Sequence, residues 1–257
     1  MRKIFFAALV VVLVVLPIVR VDAGVPLSPP LIAPPLPSLP LRTAVILSSL
    51  EQVYPMGQYD QMIAHYLNSA GYQVTTLTNT AITIDFLLTQ LNNYNIIIWR
   101  TDTYNWKHIE YWYVGELANS ATETKYSSDF AEGWINGNAG ILGVSPDFFR
   151  NHFTSSMLSN VKLMMLISTD SDSLIGFFLN AGASAVIFCI GTISLAFGLV
   201  DDVTNQLAAY LANGQSVYDA VFRVVSPFAQ PQVQEDPLDS SYVPALWCEG
   251  DVALTIT

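Results

Sequence analysis

Cysteine is almost absent from this chain: Cys189 and Cys248 are the only two in 257 residues. That count excludes a disulfide scaffold, and without a Cys-x-x-Cys pair it excludes the common structural zinc modules. Basic residues are also scarce, 10 against 21 acidic ones, for a net charge of −11. Nucleic acid and anionic membrane surfaces need a basic footprint, so neither is expected as a partner; cations and basic ligands suit the charge better. There are three histidines and no His-Glu-x-x-His, which argues against a catalytic zinc site. No Gly-x-Ser-x-Gly elbow occurs. The glycines of Gly137-Asn-Ala-Gly140-Ile-Leu-Gly143 fit neither the phosphate loop nor the dinucleotide fingerprint.

One long apolar run is present, and it lies at the start. Arg2 and Lys3 precede an apolar stretch from Ile4 to Val19, followed by Val21-Asp22-Ala23. A basic start, an apolar middle and small or medium residues before a cleavage point are the pattern of a secretory signal, residues 1–23, cut after Ala23. An uncleaved membrane anchor is the alternative, although 16 residues fall just short of the ~17–25 that a spanning helix requires. Loss of 1–23 removes three basic groups and one acidic group and leaves the remainder at −13. The chain is therefore expected to be extracytoplasmic, secreted or anchored at the cell surface, with membrane contact only through an uncleaved N-terminal segment. Residues 24–41 carry seven prolines and no charge. They cannot form a helix or a sheet ladder and read as an extended polyproline spacer.

The rest is long enough for one domain with a substantial core, residues 42–228, followed by a Pro-rich extension at 229–257. Apolar runs at Ala44–Leu50, Tyr72–Leu77, Ile96–Trp99, Leu163–Ile167 and Ala185–Ile190 predict five strands. Helical spacing over Tyr59–Leu67, from Thr83 to Leu91, through Phe177–Leu179, and over Leu199–Ala212 and Ser216–Val225 predicts helices between and after them. Strands alternating with helices predict an α/β fold, a three-layer sandwich with a mostly parallel sheet. Trp106 to Val114 alternates and is aromatic, as expected of a hairpin arm inserted off the main sheet, and the stretch on to Gly143 reads as a loop. Ser145-Pro146-Asp147 opens a short helix, and Ser171 or Asp172 is expected to cap the one after the fourth strand. Tyr242–Trp247 and Val252–Ile256 suggest an edge hairpin.

Two of the strands end in polar clusters, Arg100-Thr101-Asp102-Thr103 and Ser168-Thr169-Asp170-Ser171-Asp172. In open α/β sheets ligands bind beyond the carboxyl ends of the strands, so Arg100, Asp102, Ser168, Thr169, Asp170 and Asp172 are the candidate crevice. The order strand, helix, Gly-Ala turn, strand over Leu163–Ile187, with the later Ala209-Tyr-Leu-Ala-Asn-Gly-Gln-Ser-Val-Tyr-Asp-Ala220, resembles the caspase-like cysteine peptidases, in particular the gingipain and CHAT-domain branch. The resemblance implies a nucleophilic Cys after the fourth strand and a His after the third. Those places fall on Thr169 and near Asp102. A Thr hydroxyl lacks the ready ionisation of a thiol, and internal threonines lack the α-amine that serves as base at a free N-terminus. The family resemblance thus implies a peptidase-like fold whose catalytic positions are replaced, working as a peptide-binding or interaction module.

Alternatives stay open. A Cys meeting His108 or His152 beyond a strand end would imply an active cysteine peptidase with a rearranged dyad. Converging Asp102, Asp170 and Asp172 would imply a calcium-stabilised extracellular domain, Ca²⁺ being the one cofactor worth testing. His108-Ile-Glu110 matches half of a zinc deaminase signature but lacks its cysteines. Trp106, Tyr111 and Trp112, with Tyr113 and Trp134 nearby, form a candidate aromatic rim for a peptide or sugar. The two cysteines could pair in an oxidising compartment.

Overall fold

The described part of the chain begins by winding a strand and a helix alternately: β1 (Thr43–Ser48), α1 (Tyr59–Ser69), β2 (Gln73–Thr78), α2 (Ile84–Thr89) and β3 (Ile96–Arg100). The computed structural model describes residues 41–257 apart from 54, 56, 169–170, 191–196 and 226–244. The expected signal and most of the expected spacer therefore lie outside the described residues. After β3 comes an excursion of β4 (Thr103–Trp106), β5 (Ile109–Leu117), α3 (Ser120–Lys125), α4 (Ser127–Ala131), β6 (Ile135–Asn138), β7 (Ile141–Val144) and α5 (Pro146–His152). Alternation then resumes with β8 (Leu163–Ile167), α6 (Ile175–Asn180), β9 (Ala185–Ile190), α7 (Phe197–Ala212), α8 (Val217–Val225) and β10 (Ala245–Gly250).

The main sheet has six strands in the order β10-β9-β8-β3-β1-β2. All pairings are parallel except that of β10 with β9. Because side chains alternate across a strand, the unbroken apolar runs of the central strands bury on both faces. Ala44, Ile46, Ile98, Met165 and Ile187 meet α1, α7 and α8 on one face; Val45, Leu47, Trp99, Leu166 and Phe188 meet α2, α5, α6 and the inserted strands on the other. The fold is thus mixed α/β around a mostly parallel sheet, as the alternation implied.

The helix boundaries have local causes. Thr83 caps α2, its hydroxyl accepting the Phe86 N–H at 3.0 Å. Asn119 and Thr122 form a reciprocal capping box on α3. Two expected caps are not made. Ser145 stands before Pro146 at the start of α5, but its buried hydroxyl makes no capping bond. Ser171 and Asp172 belong to a 3-10 turn over Ser171–Leu174 that delays the start of α6 to Ile175.

The insertion is larger than the sequence suggested. The run from Trp106 to Val114 is not one arm, because the chain reverses at Lys107 and His108, whose φ values of 52° and 67° are both left-handed as a two-residue hairpin turn demands. The stretch expected to loop as far as Gly143 instead holds α3, α4 and the β6–β7 hairpin. The four strands form an antiparallel sheet, β4-β5-β7-β6. Trp112, Val114, Ile135, Leu142 and Val144 turn from it onto the main sheet. Close approach is set at Gly115 (φ +111°), where a Cβ would lie 2.2 Å from the carbonyl oxygen of Asn79.

Residues 40–257 form one unit, and the tail is part of it rather than an appendage. β10 closes the main sheet as a single antiparallel strand, and residues 252–256 form a turn and coil in place of the second hairpin arm; residues 242–244 lie outside the described residues. The tail is nonetheless held. The Val217 and Tyr218 N–H groups donate to Leu254 and Val252, and the Tyr72 hydroxyl donates to the Ile256 carbonyl at 2.9 Å. Among the described residues no helix is long and apolar enough to cross a membrane.

Candidate functional site

Strand order reverses between β1 and β3: the helix after β1 packs on one face of the sheet and α2, which leads into β3, on the other. At such a switch point the two chains diverge and leave a crevice beyond the carboxyl ends. Here the sheet ladder runs one residue past the strands. The Ser49 N–H donates to the Arg100 carbonyl at 3.1 Å, and the Thr101 N–H to Ile167 at 3.0 Å. This draws Ser48, Ser49, Arg100, Thr101 and Ser168 into a buried polar layer along the carboxyl edge.

Arg100 dominates that layer. Only 2% exposed, its guanidinium holds Asp201 of α7 through two bonds, Nε to Oδ1 at 2.8 Å and Nη2 to Oδ2 at 3.0 Å, and lies 5.8 Å from the ring centre of Tyr59. A planar fork meeting a carboxylate edge-on is the strong form of such a pair. Burial pushes the Asp201 carboxyl above its ordinary range, Arg100 pulls it back, and Asp202 and Glu51 add to the rise. Burial likewise raises the Tyr59 phenol, with the Asp201 charge adding to it. Asp201 and Tyr59 had not stood out in the sequence. The one clue was Arg100 itself: an arginine ending an apolar central strand is buried, and a buried cation requires an anion from whichever helix crosses it.

The other crevice candidates diverge. Thr101 donates its hydroxyl to the Tyr113 carbonyl at 2.6 Å, fastening the insertion to the strand end. Asp102 follows, half-buried, its Oδ1 accepting the Thr103 N–H at 2.8 Å. Ser168 is buried, and its hydroxyl has no hydrogen-bond partner among the described residues. Thr169 and Asp170 lie outside the described residues. Asp172 is exposed on the 3-10 turn rather than drawn in with Arg100. Its neighbour Ser171 points inward; its hydroxyl accepts the Cys189 N–H at 3.1 Å and donates to the Cys189 carbonyl at 3.2 Å, tying the turn to β9.

The thiols and imidazoles are separated. Cys189 is buried in the face covered by α1 and α7, and burial pushes its thiol up to about 12, opposed by a hydrogen bond from the Ser168 backbone. Cys248 is partly buried and its thiol too is raised by burial. The two do not bridge, since β10 sets Cys189 opposite Leu246 and Cys248 opposite Ile187. His65 is exposed on α1, His108 is exposed in the hairpin turn, and His152 of α5 pairs with Asp129 of α4 at 3.0 Å. Among the described residues no hydrogen bond joins a cysteine to a histidine.

The aromatic rim does not form. Trp106 is 51% exposed at the hairpin end, but Tyr111 (1%) and Trp112 (0%) are core. Tyr111 instead stacks on Tyr104 at 5.3 Å and donates its hydroxyl to the Gly133 carbonyl. The rim is lost because both faces of β5 are covered at this point, Trp112 by the main sheet and its neighbour Tyr111 on the opposite face by Tyr104. Among the described residues no group of three or more His, Cys, Asp or Glu side chains could hold a metal ion. No protein-family model matches the chain, and no curated protein matches it.

Proposed function

We propose that this chain is an exported domain of caspase-like kind that binds a peptide or protein ligand at the carboxyl edge of β1, β3 and β8 and does not act as a cysteine peptidase. The observation that carries the reading is the polar layer at the switch point, where Arg100 is held by Asp201, Glu51 and Asp202 add their charges to that of Asp201, and Asp102 follows at the end of β3, so that carboxylates outnumber the cation at this edge. Such an edge favours a ligand that presents a basic side chain. The buried, strongly protonated Cys189 supports the non-peptidase part, because a thiol attacks as its thiolate. In this reading the apolar N-terminal segment directs export, and the Pro-rich stretch spaces the domain from whatever holds it.

The test is fluorescence polarisation of the purified chain against labelled peptides that differ only in carrying Arg, Ala or Asp at one position, with internally quenched versions to detect cleavage. Saturable binding of the Arg peptides, weakened by salt and by Asp102→Asn, without cleavage, is the expected result. Cleavage that disappears in Cys189→Ser or Cys248→Ser would replace this reading with the active peptidase. Equal affinity for all three peptides, or none for any, would remove the acidic edge as the ligand site.

A further inference from the structure

We draw no further inference here: the strongest candidate, the exposed and stacked pair of Tyr218 and Phe222 on α8, carries nothing because no feature among the described residues shows what covers it.

Discussion

If Cys189 is a core residue and not a nucleophile, its chemistry should be that of a thiol held neutral. With its thiol pushed by burial from the ordinary value of 9.0 up to about 12, the thiolate fraction at pH 8 falls from roughly one part in ten to roughly one in ten thousand, about a thousandfold loss of the reactive form. Burial slows the reaction further, because reagent reaches the sulfur only when α7 or the strand opens. Cys248, partly exposed on the edge strand, lacks most of that protection. Native protein treated with iodoacetamide at pH 8 and sampled by mass spectrometry should therefore gain one adduct, on Cys248. Cys189 should react at least about a thousandfold more slowly than it does in urea, where both thiols should react alike. A Cys189 that is alkylated in the native state as fast as Cys248, or that takes up a peptidyl thiol-directed inhibitor, would refute the reasoning and return this thiol to the list of nucleophiles.

The ion pair makes a prediction with a sign. Arg100→Met leaves the Asp201 carboxylate buried without its fork and should cost about 3–5 kcal/mol at pH 7 in urea unfolding, whereas Arg100→Met with Asp201→Leu should cost far less. The folded-state pKa of Asp201 is raised, so its contribution to stability is full below the ordinary carboxylate range and is lost as pH rises through the raised value. Stability measured against Asp201→Asn should thus turn against the wild type as pH rises, and a difference flat in pH would contradict the burial argument. Gly115→Ala combines a left-handed backbone with a Cβ driven 2.2 Å from the Asn79 oxygen, and should lower stability by about 2–6 kcal/mol by urea midpoint. The two indoles once grouped as a rim should separate in thermal unfolding: Trp112→Phe should destabilise clearly, by about 1 kcal/mol or more, while Trp106→Phe should change stability by less than about 0.5.

The legible parts of the fold were those written in side-chain periodicity. Ile96–Trp99 and Leu163–Ile167 are apolar at every position because both faces of the central strands are covered, and that pattern has no helical reading at such a length. The spacing of Tyr59, Ile63 and Leu67 is that of one helix face, and those three residues are the ones buried in α1. The inserted sheet was not legible for a physical reason. Asn136, Gly137 and Asn138 of β6 carry no alternation, and Lys107-His108 is not a turn pair that sequence preference would select, since neither residue adopts the left-handed region cheaply. In these strands pairing across the sheet decides the structure, and local propensity contributes little. The candidate site divides in the same way. Arg100 could be found from its place at the end of a strand, but Asp201 comes from 101 residues further along the chain and is fixed by how α7 crosses the sheet.

The disposition of the two cysteines shows how little separates a reactive pair from an inert one in this architecture. Strand parity sends Cys189 to the face covered by α1 and α7, and Cys248 packs on that same face, so direction is no barrier to a bridge. Register is the barrier. The β9–β10 pairing offsets the two thiols by two residues, a diagonal of about 7–8 Å between Cα atoms, where a disulfide requires about 4.4–6.8 Å. A slip of β10 by two residues would preserve its faces and bring the thiols opposite each other, but Gly250 stands in the way. Its φ of +90° sets its Cα against the Ser184 carbonyl so closely that a Cβ would lie 2.4 Å from that oxygen, and the next residue, Asp251, donates its N–H to the same carbonyl at 2.8 Å. A two-residue slip would break this close contact and its hydrogen bond, so the turn, which has no room for a side chain at 250, favours the observed register. The separation of Cys189 from Cys248 is therefore a property of the turn after β10, two residues beyond the nearer thiol, and the cysteine spacing alone carries no trace of it.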